Sequence, residues 1–366
     1  MTRKIGVLLF LGALLVFFLG GCFFYLEPAD MKVGWAIGWD ENQTAVILHT
    51  SNSGQSWHVQ GDANQWAGMG GNDISAVDEL TAWAAVGSDG PDGGGPGAIL
   101  HTRNGGQTWE VQQLPPGVNQ SVKGIVGLTR EIAWAVTLGG TILRTLDGGQ
   151  NWQIIPHDGV EIVQVNRMDA KGGDIWIADY GCREHGMIHS DDFGQTWRSE
   201  ELSDLEGNAA GPMAVSIVDS QTAWASVRPY ADLYRTQDDG DNWNKDAPEI
   251  AAQNDLDDVC APSAQTVWAV QNIGGFFGGL VLKVSWNGEA FVSETMDATN
   301  TYQYEGITCF PGGEVWVVGL KSPRAEEALP EGVIRYSPDN GETWQTQPIP
   351  DPDARLWKVS FVGAFR

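Results

Sequence analysis

The sequence predicts an all-β chain: a seven-bladed β-propeller of four-stranded antiparallel blades, the first blade closed by the C-terminal strand. Three observations carry this expectation. A stretch of pattern Ser/Thr-x-Asp/Asn-x-Gly-x-x-Trp recurs at intervals of 43 to 53 residues. A short apolar strand containing a Trp precedes every copy. The two ends of the chain hold complementary parts of one unit. A period of this length with four strands per unit is the signature of a propeller.

The copies begin at Thr50, Thr102, Thr145, Ser190, Thr236 and Ser337, and a worn copy spans Val284 to Phe291, where Gly288 survives and Phe291 replaces the Trp. The preceding strands carry Trp35, Trp83, Trp134, Trp176, Trp224, Trp268 and Trp316. Together the two registers absorb 13 of the 17 Trp residues, too many for coincidence. In the second unit, "DISAV", "TAWAAVG", "AILHT" and "WEVQQ" read as four successive strands separated by turn residues. The first unit starts at its second strand, "VGWAIGW", and the chain ends on "LWKVSFVGAF", a first strand without a second. Pairing the two removes two open sheet edges. No window beyond the first 26 residues has the 3.6-residue period of an amphipathic helix.

The repeated turn reads as a device for folding. Its Asp or Asn accepts bonds from nearby backbone N–H groups: Asn52, Asn104, Asp147, Asp192, Asp238 and Asp339. Its Gly supplies positive φ: Gly54, Gly106, Gly149, Gly194, Gly240 and Gly341. Its Trp packs between sheets and can donate its N–H: Trp57, Trp109, Trp152, Trp197, Trp243 and Trp344. On this reading each role is internal to the hairpin. The basic side chains just ahead of the boxes, His49, His101, Arg144, His189, Arg235, Lys283 and Arg335, are expected to cover the blade edge with their stems.

These turns resemble the Asp-box, or bacterial neuraminidase repeat, over residues 31 to 366. The box occurs in sialidases, endoglucanases, sorting receptors and assembly factors, so it speaks for fold and little for function. Seven units, the chain length and the N-terminal pattern described next are most similar to the photosystem II stability/assembly factor-like family. That resemblance implies an extracytoplasmic binding scaffold and no enzyme.

The N-terminus reads as a targeting element. Arg3 and Lys4 precede the uncharged run Ile5 to Leu19, and Leu19-Gly20-Gly21-Cys22 resembles a bacterial lipobox. Residues 1–21 are expected to be a lipoprotein signal peptide and residues 22–30 a lipidated Cys22 with its linker. Acyl chains on Cys22 would tether the propeller, residues 31–366, to a membrane. The rival is an uncleaved N-terminal anchor, because Phe23 to Leu26 prolong the apolar run to a spanning length. Both place the body outside the cytoplasm, at the cell surface or in the periplasm.

The chain is acidic, with net charge −26; losing Arg3 and Lys4 with a leader takes the basic count from 21 to 19 and the balance to −28. Such a field excludes nucleic acid as a partner. Cys260 and Cys309 occupy similar places in successive units and are expected either to pair, in an oxidising compartment, or to be buried thiols.

Candidate binding residues lie in the loops opposite the boxes. Arg183, Arg228 and Arg324 come from equivalent loops of three blades, and Trp39, Tyr180 and Tyr230 flank them. Guanidinium forks suit an anionic group, and exposed aromatics suit a protein or glycan partner. The expected role is a monomeric, non-catalytic platform for a protein, with a membrane complex in the course of assembly as the partner class. The alternatives are a sialidase-like or other carbohydrate-active enzyme and a glycan-binding or adhesion module. "MKVGWAIGWD" lacks the arginine-bearing segment that a sialidase carries in its first blade. No phosphate loop, dinucleotide fingerprint or nucleophile elbow occurs, so no cofactor is expected. Cys182-x-x-His185-x-x-x-His189 has metal-like spacing, but the repeat accounts for His189, so no metal is expected either.

Overall fold

The structure, a computed structural model, describes residues 16–19, 22–25, 31–88, 95–181, 186–200, 202, 211–228, 232–247, 255–272, 278–321, 331–351 and 353–365. Seven four-stranded antiparallel sheets follow one another along the chain. The first strands of blades 2 to 7 are Gly70–Ala76, Val122–Gly127, Val165–Lys171, Gly211–Ile217, Leu256–Ser263 and Tyr302–Cys309. Blade 1 takes its first strand from the end of the chain: Arg355–Phe361 pairs with Gly34–Trp39. The seven first strands pack side by side in a closed ring around an axis. A short hairpin, Val16–Leu19 with Cys22–Tyr25, precedes the ring. Among the described residues no helix is long and apolar enough to cross a membrane.

The seven strand Trp residues, from Trp35 to Trp316, are all buried on the second strands. Each faces one residue of the third strand: His49, His101, Arg144, His189, Arg235, Lys283 and Tyr336. These side chains cover the indole more than the blade edge. His101 stacks on Trp83 at 3.4 Å and His189 on Trp176 at 3.6 Å. Arg144, Arg235 and Lys283 hold their charges 5.2 to 5.5 Å from the ring centres, within the range of a cation–π attraction. In the last blade the residue facing the Trp is Tyr336, one position after the expected Arg335. Tyr336 stacks on Trp316 at 4.3 Å, whereas Arg335 pairs with Val317. Side chains alternate along a strand, so one step puts Arg335 on the other face, where it bonds Asp297 and Tyr304.

The boxes form the expected turn. In blade 3, Thr145 Oγ1 donates to Asp147 Oδ1 and accepts the Gly149 N–H, both at 2.9 Å, and Asp147 Oδ1 accepts the Asn151 N–H at 2.9 Å. The same bonds recur around Asn52, Asn104, Asp192, Asp238 and Asp339. In the worn sixth copy, Asn287 caps a tight hairpin and Phe291 fills the place of the Trp, edge-on to Trp224 at 5.3 Å.

The roles of Gly and Trp are not internal to the hairpin, and here the sequence reading is corrected. Trp152, Trp197 and Trp243 each meet the strand Trp of the preceding blade edge-on, at 5.7, 6.4 and 5.4 Å. A Cβ on Gly194 would lie 2.5 Å from the Trp134 ring, and one on Gly240 would lie 2.6 Å from the Trp176 ring. The box Gly therefore answers two demands: positive φ, and the closeness of the neighbouring blade.

A second set of contacts ties blades together near the axis. Ser360, Ser75, Asp169 and Ser216 each accept a backbone N–H from the first strand of the next blade, at 2.8 to 3.1 Å. Asp73 and Asp258 do the same two residues earlier on their strands. Between blades 6 and 7 a disulfide, Cys260 to Cys309, stands in the place of the hydroxyl bond. On the box rim, the stretch that leads into the second strand is pinned to the box of the same blade in all seven blades, as by Gly148 N–H to Glu131 O at 2.8 Å.

Candidate functional site

The antiparallel order puts the first-to-second turns and the boxes on one rim. The second-to-third loops and the connections between blades form the other. A cleft of about 350 Å³ opens on that second rim, at the axis. It is lined by Trp39, Gln43, Gly70, Asn72, Gly87, Ser88, Lys123, Asn166, Arg167, Arg355 and Trp357.

A backbone irregularity builds this cleft. Each first strand carries a bulge at its cleft end, as the register jumps show. The extra residue is Trp357, Asn72, Lys123, Asn166, Met213, Asp257 or Glu305 in blades 1 to 7. A bulge leaves one residue unpaired and re-aims its side chain. The first four of these line the cleft.

The axis is electrostatically divided. On the side of blades 1 to 4 stand Lys123, Arg167 and Arg355, with no carboxylate in the lining among the described residues. Trp39 and Trp357 pair at 5.0 Å, and the Arg167 guanidinium lies 5.9 Å from the Trp357 ring centre. Arg167 is 7% exposed and reaches towards Asp258 at 3.9 Å; Lys358 bonds the same carboxylate at 2.6 Å. On the side of blades 6 and 7, burial and the neighbouring Glu305 push the Asp257 carboxyl up to about 8. Burial also raises Glu305. Asn272 ties the two together, its backbone N–H bonding Asp257 at 3.1 Å and its amide bonding Glu305 at 3.1 Å.

Of the residues expected from sequence, Trp39 lines the cleft. Tyr180 and Arg228 come together away from it: the guanidinium sits 5.3 Å from the Tyr180 ring centre and pairs with Asp255 at 3.0 Å. Arg183, Arg324, Tyr230, Cys182 and His185 lie outside the described residues. Trp66 and Tyr304 are fully buried; Trp66 donates to the Ala45 carbonyl at 2.9 Å. Lys123, Arg167, Arg355 and Trp357 escaped the sequence reading, which looked for function in loops. The available signal was a cation or Trp inside an apolar first strand, as in "VNRMDAK" and "RLWKVSF".

A second polar cluster lies on the box rim, between blades 4 and 5. Asp174, His189 and Asp239 place their ligating atoms within 4.8 Å of one another. Burial holds His189 down to about 3, so the ring is neutral. Burial first, then Asp239, Asp191 and Asp219, push Asp174 up to about 6.

Residues 30–182 and 141–282 match the family described as Photosynthesis system II assembly factor YCF48. No curated protein matches the sequence. Among solved structures, one described as YCF48 bound to D1 peptide superposes with TM-score 0.61 at 18% identity, over 80% of this chain and 88% of that one. YCF48 from Cyanidioschyzon merolae gives 0.58 at 14% identity, over 79% and 94%. A putative 6-phosphogluconolactonase from Bacteroides uniformis gives 0.57 at 10% identity, over 90% and 99%. At these identities the structural likeness speaks for the fold alone.

Proposed function

Because the chain belongs to the photosystem II assembly factor YCF48 family, we propose that it is a non-catalytic scaffold that holds an extended, carboxylate-bearing segment of a membrane-protein partner in the axial cleft. One observation carries this reading. A chain of net charge −26 keeps three cations, two Trp rings and two Asn amides in one cleft that no acid lines among the described residues. Cations and amides answer a carboxylate and a peptide backbone, and the indoles supply apolar area with little entropy to lose. That a YCF48 was solved with a D1 peptide supports a peptide ligand of this kind.

The test is affinity purification of the full-length protein from gently solubilised membranes of its own host, beside a Lys123→Ala/Arg355→Ala variant. A stoichiometric membrane-protein partner that the variant loses is the expected result. Equal recovery by both proteins would overturn the cleft as its site.

The same reading places the propeller outside the cytoplasm, tethered through Cys22. The Cys260–Cys309 bridge supports an oxidising compartment. Cys22→Ala is expected to release the protein from the membrane fraction, and mass spectrometry of the mature N-terminus separates lipidation from an uncleaved anchor. The Trp39–Trp357 pair favours a second reading, a glycan-binding module, since indole faces also take sugar rings. Glycan arrays with the same variant decide between them.

A further inference from the structure

We propose that Asp174, His189 and Asp239 form a divalent-cation site at the junction of blades 4 and 5, on the rim opposite the axial cleft. The three ligands come from three separate places. Asp174 opens the second strand of blade 4, His189 lies on its third strand, and Asp239 belongs to the box turn of blade 5. Their ligating atoms lie within 4.8 Å of one another.

The second observation is the imidazole. His189 is 0% exposed, and neither ring nitrogen has a hydrogen-bond partner. Its Nε2 points at Asp239 Oδ1, 3.4 Å away. Stacking on Trp176 at 3.6 Å fixes the plane of the ring and therefore the direction of its lone pair. A buried polar group without a partner is costly, and a metal ion is one of the few partners that would fit.

The repeat supplies an internal control. His101 occupies the same position in blade 2 and stacks on Trp83 in the same way. Both His101 nitrogens are likewise buried without a hydrogen-bond partner, and opposite the ring, where blade 5 has Asp239, blade 3 has Gly148, which offers a backbone carbonyl and no carboxylate. Where blade 4 has Asp174, blade 2 has Thr81. Histidine at this position is thus a feature of the fold, and the two carboxylates are the addition.

One imidazole and two carboxylates suit a first-row divalent ion such as Zn²⁺ better than Ca²⁺ or Mg²⁺. Bonds of about 2.0–2.2 Å would draw the donor atoms closer than they now stand. Asp239 is the ligand with room to move, its side chain being 28% exposed. Arg198 does not fill the site: it holds the other oxygen of Asp239, Oδ2, at 2.9 Å, and also bonds Asp191 and Glu200.

The test is Zn²⁺ titration of chelator-treated full-length protein by calorimetry, with thermal unfolding as a second readout. We expect one Zn²⁺ per chain, a raised Tm, and at least tenfold weaker binding in Asp239→Asn and in Asp174→Asn. His101→Gln is expected to bind as wild type. Asp239→Asn keeps size and shape but gives up the ion pair with Arg198, so its Tm without metal is compared with that of wild type. Absence of saturable binding, equal binding by Asp239→Asn, or equal affinity for Ca²⁺ and Zn²⁺ would each overturn the site; the last would mean diffuse attraction to an acidic surface.

Discussion

The two rims of the ring are built on opposite rules. On the box rim, six blades repeat the same bonds between hydroxyl, carboxyl or amide, and glycine N–H, and all seven pin the stretch entering the second strand to the box. On the cleft rim, the equivalent bulge residues are Trp357, Asn72, Lys123, Asn166, Met213, Asp257 and Glu305: neutral in four blades, cationic in one and acidic in two. A box must match the blade before it, whose Trp lies against its glycine, so it cannot vary freely. A bulge residue faces the axis, and its contacts differ from blade to blade: Asn72 donates to the Val122 carbonyl, Trp357 packs on Trp39, and Glu305 accepts from Asn272. Stability and binding should therefore separate by rim.

The largest effect is expected where a box meets its neighbour. Gly194→Ala places a Cβ 2.5 Å from the Trp134 ring at φ +78°. Overpacking and a positive φ together should cost about 3 kcal/mol, read as a lower urea midpoint. Cys260→Ser/Cys309→Ser opens a bridge spanning 49 residues and should also cost about 3 kcal/mol by the same measurement. Thr145→Val keeps the shape but leaves the half-buried Gly149 N–H without its acceptor, a loss of about 1 kcal/mol. None of these three should change partner binding beyond what unfolding explains.

The converse holds at the cleft. Lys123→Ala/Arg355→Ala should weaken partner binding by about tenfold or more while leaving the urea midpoint within about 0.5 kcal/mol of wild type. If that variant is as destabilised as Gly194→Ala, the separation of rims fails.

The effect that is smallest at neutral pH, and grows only in acid, is a pH dependence on the box rim. Burial holds His101 down to about 3, against an ordinary value of 6.5. Its folded pKa lies below its unfolded one, so the stability it contributes is full above about 6.5 and is lost as pH falls towards 3. The linkage amounts to at most one proton per chain in that window. His101→Gln should unfold with a shallower acid dependence than wild type between pH 6.5 and 4, once each is referred to its own stability at pH 7.5.

Blade number, strand order and ring closure were legible because they rest on local, repeated signals. Trp83 and Trp109 recur at fixed distances from the same turn, and "LWKVSF" lacks a neighbour that only "VGWAIGW" can supply. The site was less legible. Arg167 and Lys123 look like ordinary strand residues, because nothing local marks the bulge that re-aims their neighbours towards the axis. Arg335 shows the same limit: one step of register changed its face.

The sequence by itself determined an acidic seven-bladed ring and the bonds inside each box, since these need only residues within eight positions of one another. The tertiary structure decided which side chains meet across blades and across the axis. Trp134 against Gly194, His189 against Asp239, and Arg167 beside Trp357 are contacts between residues far apart in the chain. Their meeting depends on how many blades share the circle and how each bulge turns its strand, and no local pattern encodes either.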